Sequence, residues 1–321
     1  MLQLHNVSLG GRHRFDHQFA DGQIAVVLGS NRSGKTNLCR LIAGLDSAAS
    51  GQVMLDGKSL DGLSPARRSV AMVYQAFVNY PNLTVAENIA SPLVAAGTPK
   101  AVRKAQVAEL ARSLQLEDLL TRLPAELSGG QQQRLAIARA LAKQARVILL
   151  DEPLVNLDFK LREALEVELR DLLVARQSTV IYTSSDPRDA FTLGDEVLLL
   201  EHGDKLQAGP PMQVYGQPRS LAAMHLLSDP GANQFMQGDQ NLAVRPEHLH
   251  LQPLSTGAHA FTLHITAIET SGDESFVHGD VTAPVQASNW VMRMRGMTDL
   301  RTGGLVQIYA RDEDLQRFAC G

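Results

Sequence analysis

One stretch constrains this chain more than any other: a continuous apolar run breaks into a glycine-rich turn and then into a helical pattern. Ile24-Ala25-Val26-Val27-Leu28 is followed by Gly29-Ser30-Asn31-Arg32-Ser33-Gly34-Lys35-Thr36, and then by Leu38, Leu41 and Ile42 at helical spacing. An apolar run without polar alternation predicts a strand buried on both faces, as in parallel sheets. The glycines let backbone N–H groups turn inward around phosphate oxygens, and the following helix aims its positive dipole end at them. Residues 29–36 fit the phosphate-loop pattern without a gap; in that pattern the lysine reaches the β/γ-phosphates and the hydroxyl of Thr36 holds Mg²⁺. A chance match in this length has a probability on the order of one in a hundred.

The rest of the first two-thirds repeats the strand–helix alternation. Val147-Ile148-Leu149-Leu150 and Ser178-Thr179-Val180-Ile181-Tyr182 are further buried-strand runs, and Leu161, Leu165, Leu169 and Leu172/Leu173 line one face of a helix from about 158 to 175. Strands separated by helices imply a parallel sheet with crossovers, an α/β class. Residues 77–130 carry Val107, Leu110 and Leu114 at helical spacing and no buried-strand run, which predicts an inserted helical subdomain. The pattern changes at the turn-rich Ser228-Asp229-Pro230-Gly231-Ala232-Asn233. Beyond it, alternation such as Ala260-Phe261-Thr262-Leu263-His264-Ile265 predicts a small all-β barrel or sandwich. The expected domains are therefore 1–230 and 231–321.

Two further segments face the phosphate loop chemically. Asp151-Glu152 follows directly on the 147–150 run, and carboxylates at the C-terminal end of a parallel strand sit where such sheets bind ligands. Asp151 suits Mg²⁺ and Glu152 suits a general base acting on water. Leu127-Ser128-Gly129-Gly130-Gln131-Gln132-Gln133-Arg134 opens a helix with a serine hydroxyl and glycine N–H groups, which is either a second anion site or a capped helix with a polar face.

Composition removes other classes. Net charge is 30 − 34 = −4, and residues 241–321 hold no basic cluster with interleaved aromatics, so nucleic acid is not an expected partner. No apolar run reaches the roughly 18 residues of a membrane span, and the first residues lack a secretory-signal layout. Cys39 and Cys320 are the two cysteines, too few for a disulfide scaffold. His248, His250 and His264 have no metal-cage spacing; Trp290 and Cys39 read as packing, and Arg67-Arg68 as a solvated basic pair.

The ordered set resembles the ATP-binding subunits of ABC transporters. Leu127–Arg134 matches that family's signature motif, Gln75 in Met72-Val73-Tyr74-Gln75 looks like its Q-loop glutamine, and Leu157-Asp158 looks like the end of its D-loop. Val244-Arg245-Pro246-Glu247-His248 resembles a motif in the C-terminal domain of sugar and polyol importers, including those for maltose, glycerol-3-phosphate and glycerol. The resemblance implies a P-loop ATPase core with an inserted helical subdomain, followed by a small oligonucleotide-fold-like β domain. It implies two subunits facing head to tail with ATP and Mg²⁺ between them. Gly29 to Thr36, Gln75, Asp151 and Glu152 then serve one site, with Thr36, Gln75 and Asp151 at the metal. Ser128, Gly129, Gly130 and Gln131 serve the opposite site, and Asp158 is a further nucleotide-binding residue. It further implies a location on the cytoplasmic face of the membrane, held by two permease subunits and served by an extracellular or periplasmic solute-binding protein. Asn79–Val85 is expected in the permease docking surface, and glycerol is the first solute expected.

Four positions depart from the family pattern. Ser185 stands where a histidine is usual, and serine is short and carries no positive charge near neutral pH. The chain's own site is therefore expected to bind ATP and hydrolyse it slowly, since loss of one positioned group costs a factor of roughly 10² to 10³. Val7–Arg14 has no Trp or Tyr to stack on adenine, which leaves His13 and Phe15, the latter equally suited to the core. Arg32 replaces a usual glycine, and Val155 a usual small residue. These departures lead to the expectation of a heterodimer with a related, histidine-bearing ATPase. A regulatory pseudo-ATPase and a soluble ATPase acting on nucleic acid are the competing readings.

Overall fold

The computed structural model describes residues 1–46, 50–154, 159–253 and 258–319. Val155, Asn156, Leu157, Asp158 and Cys320, and the side chain of Leu161, lie outside the described residues. The chain divides into two compact units, Met1–Val214 and Tyr215–Gly321.

The first unit begins with β1 (Leu2–Val7), β2 (Phe15–Phe19), β3 (Ile24–Leu28), α1 (Lys35–Ala43), β4 (Gln52–Leu55), β5 (Lys58–Ser59) and β6 (Val70–Val73). Three helices follow, α2 (Val85–Ala95), α3 (Lys100–Ser113) and α4 (Gly129–Ala142), then β7 (Val147–Asp151) and α5 (Phe159–Ala175). It closes with β8 (Thr179–Ser184), α6 (Pro187–Thr192), β9 (Glu196–Glu201) and β10 (Asp204–Gly209). The main sheet has the order β10-β9-β3-β8-β7-β6, in which only β10 runs antiparallel. Every residue of β3, β7 and β8 is buried, as a central parallel strand requires. A smaller antiparallel sheet, β2-β1-β4-β5, shares a core with α1 and one face of the main sheet.

Local sequence explains the element ends. Thr84 and Glu87 form a reciprocal capping box that starts α2. Gly44 closes α1 in the left-handed region at φ 78°. Arg68 is buried, contrary to its reading as a solvated pair with exposed Arg67. Its guanidinium donates to the carbonyls of Leu41 (3.0 Å), Ile42 (2.9 Å) and Leu63 (3.1 Å), so the last turn of α1 is satisfied by an arginine 26–27 residues away in sequence. Burial pushes its pKa below the ordinary guanidinium value.

The second unit contains α8 (Leu221–Leu226), which follows α7 (Pro211–Gly216) at the division, and β11 (Asn233–Gln237), β12 (Gln240–Val244), β13 (His259–Thr270), β14 (Glu274–Ala283), β15 (Ala287–Arg295), β16 (Leu305–Ala310) and β17 (Gln316–Phe318). All ladders are antiparallel, in sheets β11-β12-β17 and β15-β14-β13-β16. Phe235, Phe261 and Trp290 meet in the core, with ring centroids 4.9–5.6 Å apart. The Trp290 indole N–H donates to Gln234 O at 3.1 Å.

The division falls at 214/215 rather than at the Ser228–Asn233 turn. The reason is Arg245. Its buried guanidinium stacks 3.7 Å from the Tyr215 ring centroid and donates to the carbonyls of Tyr215, Met224 and Leu227 and to the Ser228 hydroxyl. One side chain thus fastens residues 215–228 to the β unit.

Candidate functional site

The site gathers at the C-terminal ends of β3, β7 and β8. Gly29 leaves β3 with its N–H donating to Ser184 O at 3.2 Å. A Cβ at Gly29 would sit 2.4 Å from Leu200 O and Ser33 Oγ, so only glycine fits. The loop then passes through two left-handed residues, Arg32 (φ 66°) and Gly34 (φ 106°). The first is a conformation that glycine adopts without Cβ strain, and nothing in the structure explains the arginine that stands there. Its side chain is exposed.

Lys35 is 4% exposed and curls back into the loop, donating to Gly29 O (2.6 Å) and Ser30 O (2.9 Å) and pairing with Glu152 Oε1 at 3.3 Å. The Thr36 hydroxyl donates to Asp151 Oδ1 at 3.1 Å. The Gln75 amide, reaching from the segment after β6, donates to Glu152 Oε2 at 3.2 Å. Glu152 lies at φ 46°, and its N–H donates to Thr183 Oγ1 at 2.9 Å. Lys35, Thr36, Gln75 and Thr183, brought from three parts of the sequence, therefore converge on one acidic pair.

These side chains line a cavity of about 500 Å³, bounded by Asn31–Asn37, Gln75 and Glu152, a size that suits a small-molecule ligand. Ser33 Oγ is buried there without a hydrogen-bond partner among the described residues. Backbone N–H groups, one lysine and an unpaired hydroxyl form a donor set for phosphates, while Thr36, Asp151 and the amide of Gln75 form a hard-oxygen set for Mg²⁺. ATP with Mg²⁺ fits the residues present.

Ser185 is exposed at the end of β8 and shares a second, smaller cavity with Glu152 and Arg162. Its neighbours are held firmly. Ser184 Oγ donates to Asp189 at 2.5 Å, and Arg162 pairs with Asp189 (2.5 Å), Glu166 (2.7 Å) and Asp186 (3.0 Å). Burial raises Asp186, yet hydrogen bonds from Arg188 bring it below the ordinary carboxylate range. Sequence reasoning did not single out Arg162 or Thr183; for Thr183 the signal is its position opposite Asp151 on neighbouring strands.

The signature turn stands apart. The Ser128 hydroxyl accepts from Gln131 N at 3.3 Å, and Gln131 Oε1 accepts from Ser128 N at 3.0 Å. Ser128 and Gly129 are exposed, and a Cβ at Gly129 meets nothing within 4 Å. None of residues 128–131 lines the phosphate-loop cavity. Asn79 links the neighbouring loop to this helix by donating to Gln132 O at 2.8 Å. Of the two residues considered for the base, Phe15 belongs to the core and His13 is exposed.

Fold and site together define a P-loop nucleotide-binding protein with a second, exposed and capped helix start. The comparisons make this narrower. The family model described as ABC transporter matches residues 13–155. The sn-glycerol-3-phosphate import ATP-binding protein UgpC 3 of Agrobacterium fabrum is 33% identical, covering 94% of this chain and 91% of its own length. UgpC of Rhizobium meliloti is 36% identical over 93% of this chain and 90% of its own length. Among solved structures, the dimeric ATP-binding cassette MJ0796 in a post-hydrolysis state bound to ADP and Pi aligns with a TM-score of 0.60 at 28% identity, covering 66% of this chain and 99% of that one. The chain belongs to the ATP-binding proteins of ABC transporters. No helix among its described residues is long and apolar enough to cross a membrane.

Proposed function

We propose that this chain is the energy-coupling subunit of a carbohydrate or polyol importer, peripheral on the cytoplasmic face and held there by two permease subunits. The observation that carries this reading is the likeness to import ATP-binding proteins over 94% of the chain, which takes in the second unit as well as the ATPase core. The relatives' names support sn-glycerol-3-phosphate as the solute more directly than glycerol. A solute-binding protein delivers it from outside.

The chemistry assigned to the site follows from its contacts. Lys35 and the loop N–H groups bind the phosphates. Mg²⁺, when bound, neutralises phosphate charge. Glu152 accepts the proton of the attacking water, and the Gln75 amide orients the Glu152 carboxylate through their hydrogen bond. Ser128 and Gly129, which are exposed, and Gly130 and Gln131, which are half-buried, lie outside this cavity and serve the nucleotide of the facing subunit.

Docking of the permeases is placed at the Asn79–Val85 loop and the adjoining cavity of about 610 Å³. Tyr80, Met72, Pro92, Arg139 and Lys143 line it, and Arg139 lies 4.7 Å over the Tyr80 ring. Burial lowers the pKa of both Arg139 and Lys143, so the two cations are poorly solvated there and suit an acidic partner segment.

Ser185 supports a finer reading. With a hydroxyl where the family has imidazole, the site on this chain's own loop hydrolyses slowly. A facing subunit with a complete loop and histidine then supplies the working site. The test is purification of the tagged chain from its native membrane, with ATPase rates for that complex and for its Ser185→His variant. Two permeases and a second ATP-binding chain, with a faster variant, support the reading in full. Permeases with this chain alone, hydrolysing normally and unaffected by Ser185→His, remove the heterodimer and the impairment. Recovery without permeases removes the importer.

A further inference from the structure

We propose that Thr183 is a positioning residue that locks the Mg²⁺ carboxylate and the general base into one rigid unit. The inference rests on the ATPase reading above and adds a residue to it. β7 and β8 run parallel with Asp151 directly opposite Thr183, so the two side chains stand side by side on one face of the sheet. Both are buried, Asp151 at 3% exposure and Thr183 at 0%. A carboxylate removed from water needs donors, and Asp151 Oδ1 receives two: Thr183 Oγ1 at 2.8 Å and Thr36 Oγ1 at 3.1 Å.

The same Thr183 oxygen accepts the N–H of Glu152 at 2.9 Å. That N–H belongs to a residue held at φ 46°, a conformation uncommon for a side chain other than glycine. One hydroxyl therefore spends its proton on Asp151 and a lone pair on Glu152. It fixes the side chain of the first and the backbone of the second. The direction in which Glu152 leaves the strand, toward Lys35 and Gln75, is set by that bond together with theirs. Valine fills the same volume but leaves a buried N–H unpaired and takes a donor from Asp151.

The test compares the full-length chain with Thr183→Val and Thr183→Ser. Binding of a fluorescent ATP analogue is titrated with Mg²⁺, and hydrolysis is measured alongside. In Thr183→Val the Mg²⁺ concentration for half-maximal binding rises about ten-fold and kcat falls about ten-fold, the usual effect of removing a partner from a metal-binding carboxylate. Affinity for the analogue without Mg²⁺ is unchanged, which a general loss of packing does not predict. Thr183→Ser keeps the hydroxyl and restores both values. If Thr183→Val does not fold, Thr183→Ser against Thr183→Ala makes the same comparison across a single hydroxyl. Wild-type Mg²⁺ dependence in the variant lacking the hydroxyl overturns the proposal, as does a Thr183→Ser variant equally impaired. Absence of Mg²⁺-dependent nucleotide binding in the wild-type chain instead overturns the ATPase reading itself.

Discussion

The phosphate loop and the signature turn are both helix starts equipped for anions, yet they are built differently. Around the loop, Lys35, Thr36, Gln75, Asp151, Glu152 and Thr183 bond to one another or to the loop backbone. At the turn, the side chains of Ser128 and Gln131 each bond the other's backbone N–H in a capping box, and the space beyond Gly129 is open. The first is a cavity with walls. The second is an open surface. The capping box fixes the turn locally through the N–H groups of Ser128 and Gln131, with no side chain brought from another element.

Substitutions separate the two regions. Glu152→Gln removes the proton acceptor while keeping the amide's hydrogen-bond reach, and hydrolysis by the purified chain on its own falls about 10³-fold in a steady-state phosphate-release assay. Ser128→Arg places bulk and charge on the presented turn, and the same assay falls about 10²-fold, as when one positioned stabilising group is lost. Support of the loop is tested through the helix behind it. Arg68→Ala leaves the Leu41, Ile42 and Leu63 carbonyls without their donor and destabilises the chain by about 2 kcal/mol in urea unfolding, whereas exposed Arg67→Ala stays within about 0.5 kcal/mol. Ser185→His raises hydrolysis about ten-fold, with most of the gain in kcat, by returning a longer donor that carries charge. An unchanged rate means that another group already does that work.

Much of the loop was legible in the sequence because its constraints are local. Gly29 and Gly34 are required by close approach and by φ, and the apolar runs at 24–28 and 147–150 leave no polar face to expose. The capping box at Ser128 was legible for the same reason. What escaped were side chains whose role depends on strand register or on distant partners. Thr183 lies within the third strand, but its place beside Asp151 depends on the register of β8 against β7, which the sequence does not display. Arg68 looks like half of a surface pair until the end of α1 comes to lie against it. Arg245 was noticed as part of a motif, but its grip on residues 215–228, which moves the division to 214, depends on carbonyls that sequence does not display.

The central claim is that this chain's nucleotide is held by the loop without help from its own signature turn. ATP affinity of the dilute purified chain tests it directly, measured for wild type, Lys35→Ala and Ser128→Arg in the presence of Mg²⁺. Lys35→Ala is predicted to weaken binding about 100-fold, the scale of truncating a buried charged contact, and Ser128→Arg to leave it within about two-fold, as for a surface change away from the site. If Ser128→Arg weakens binding as much as Lys35→Ala does, the turn belongs to the chain's own site and the account is wrong.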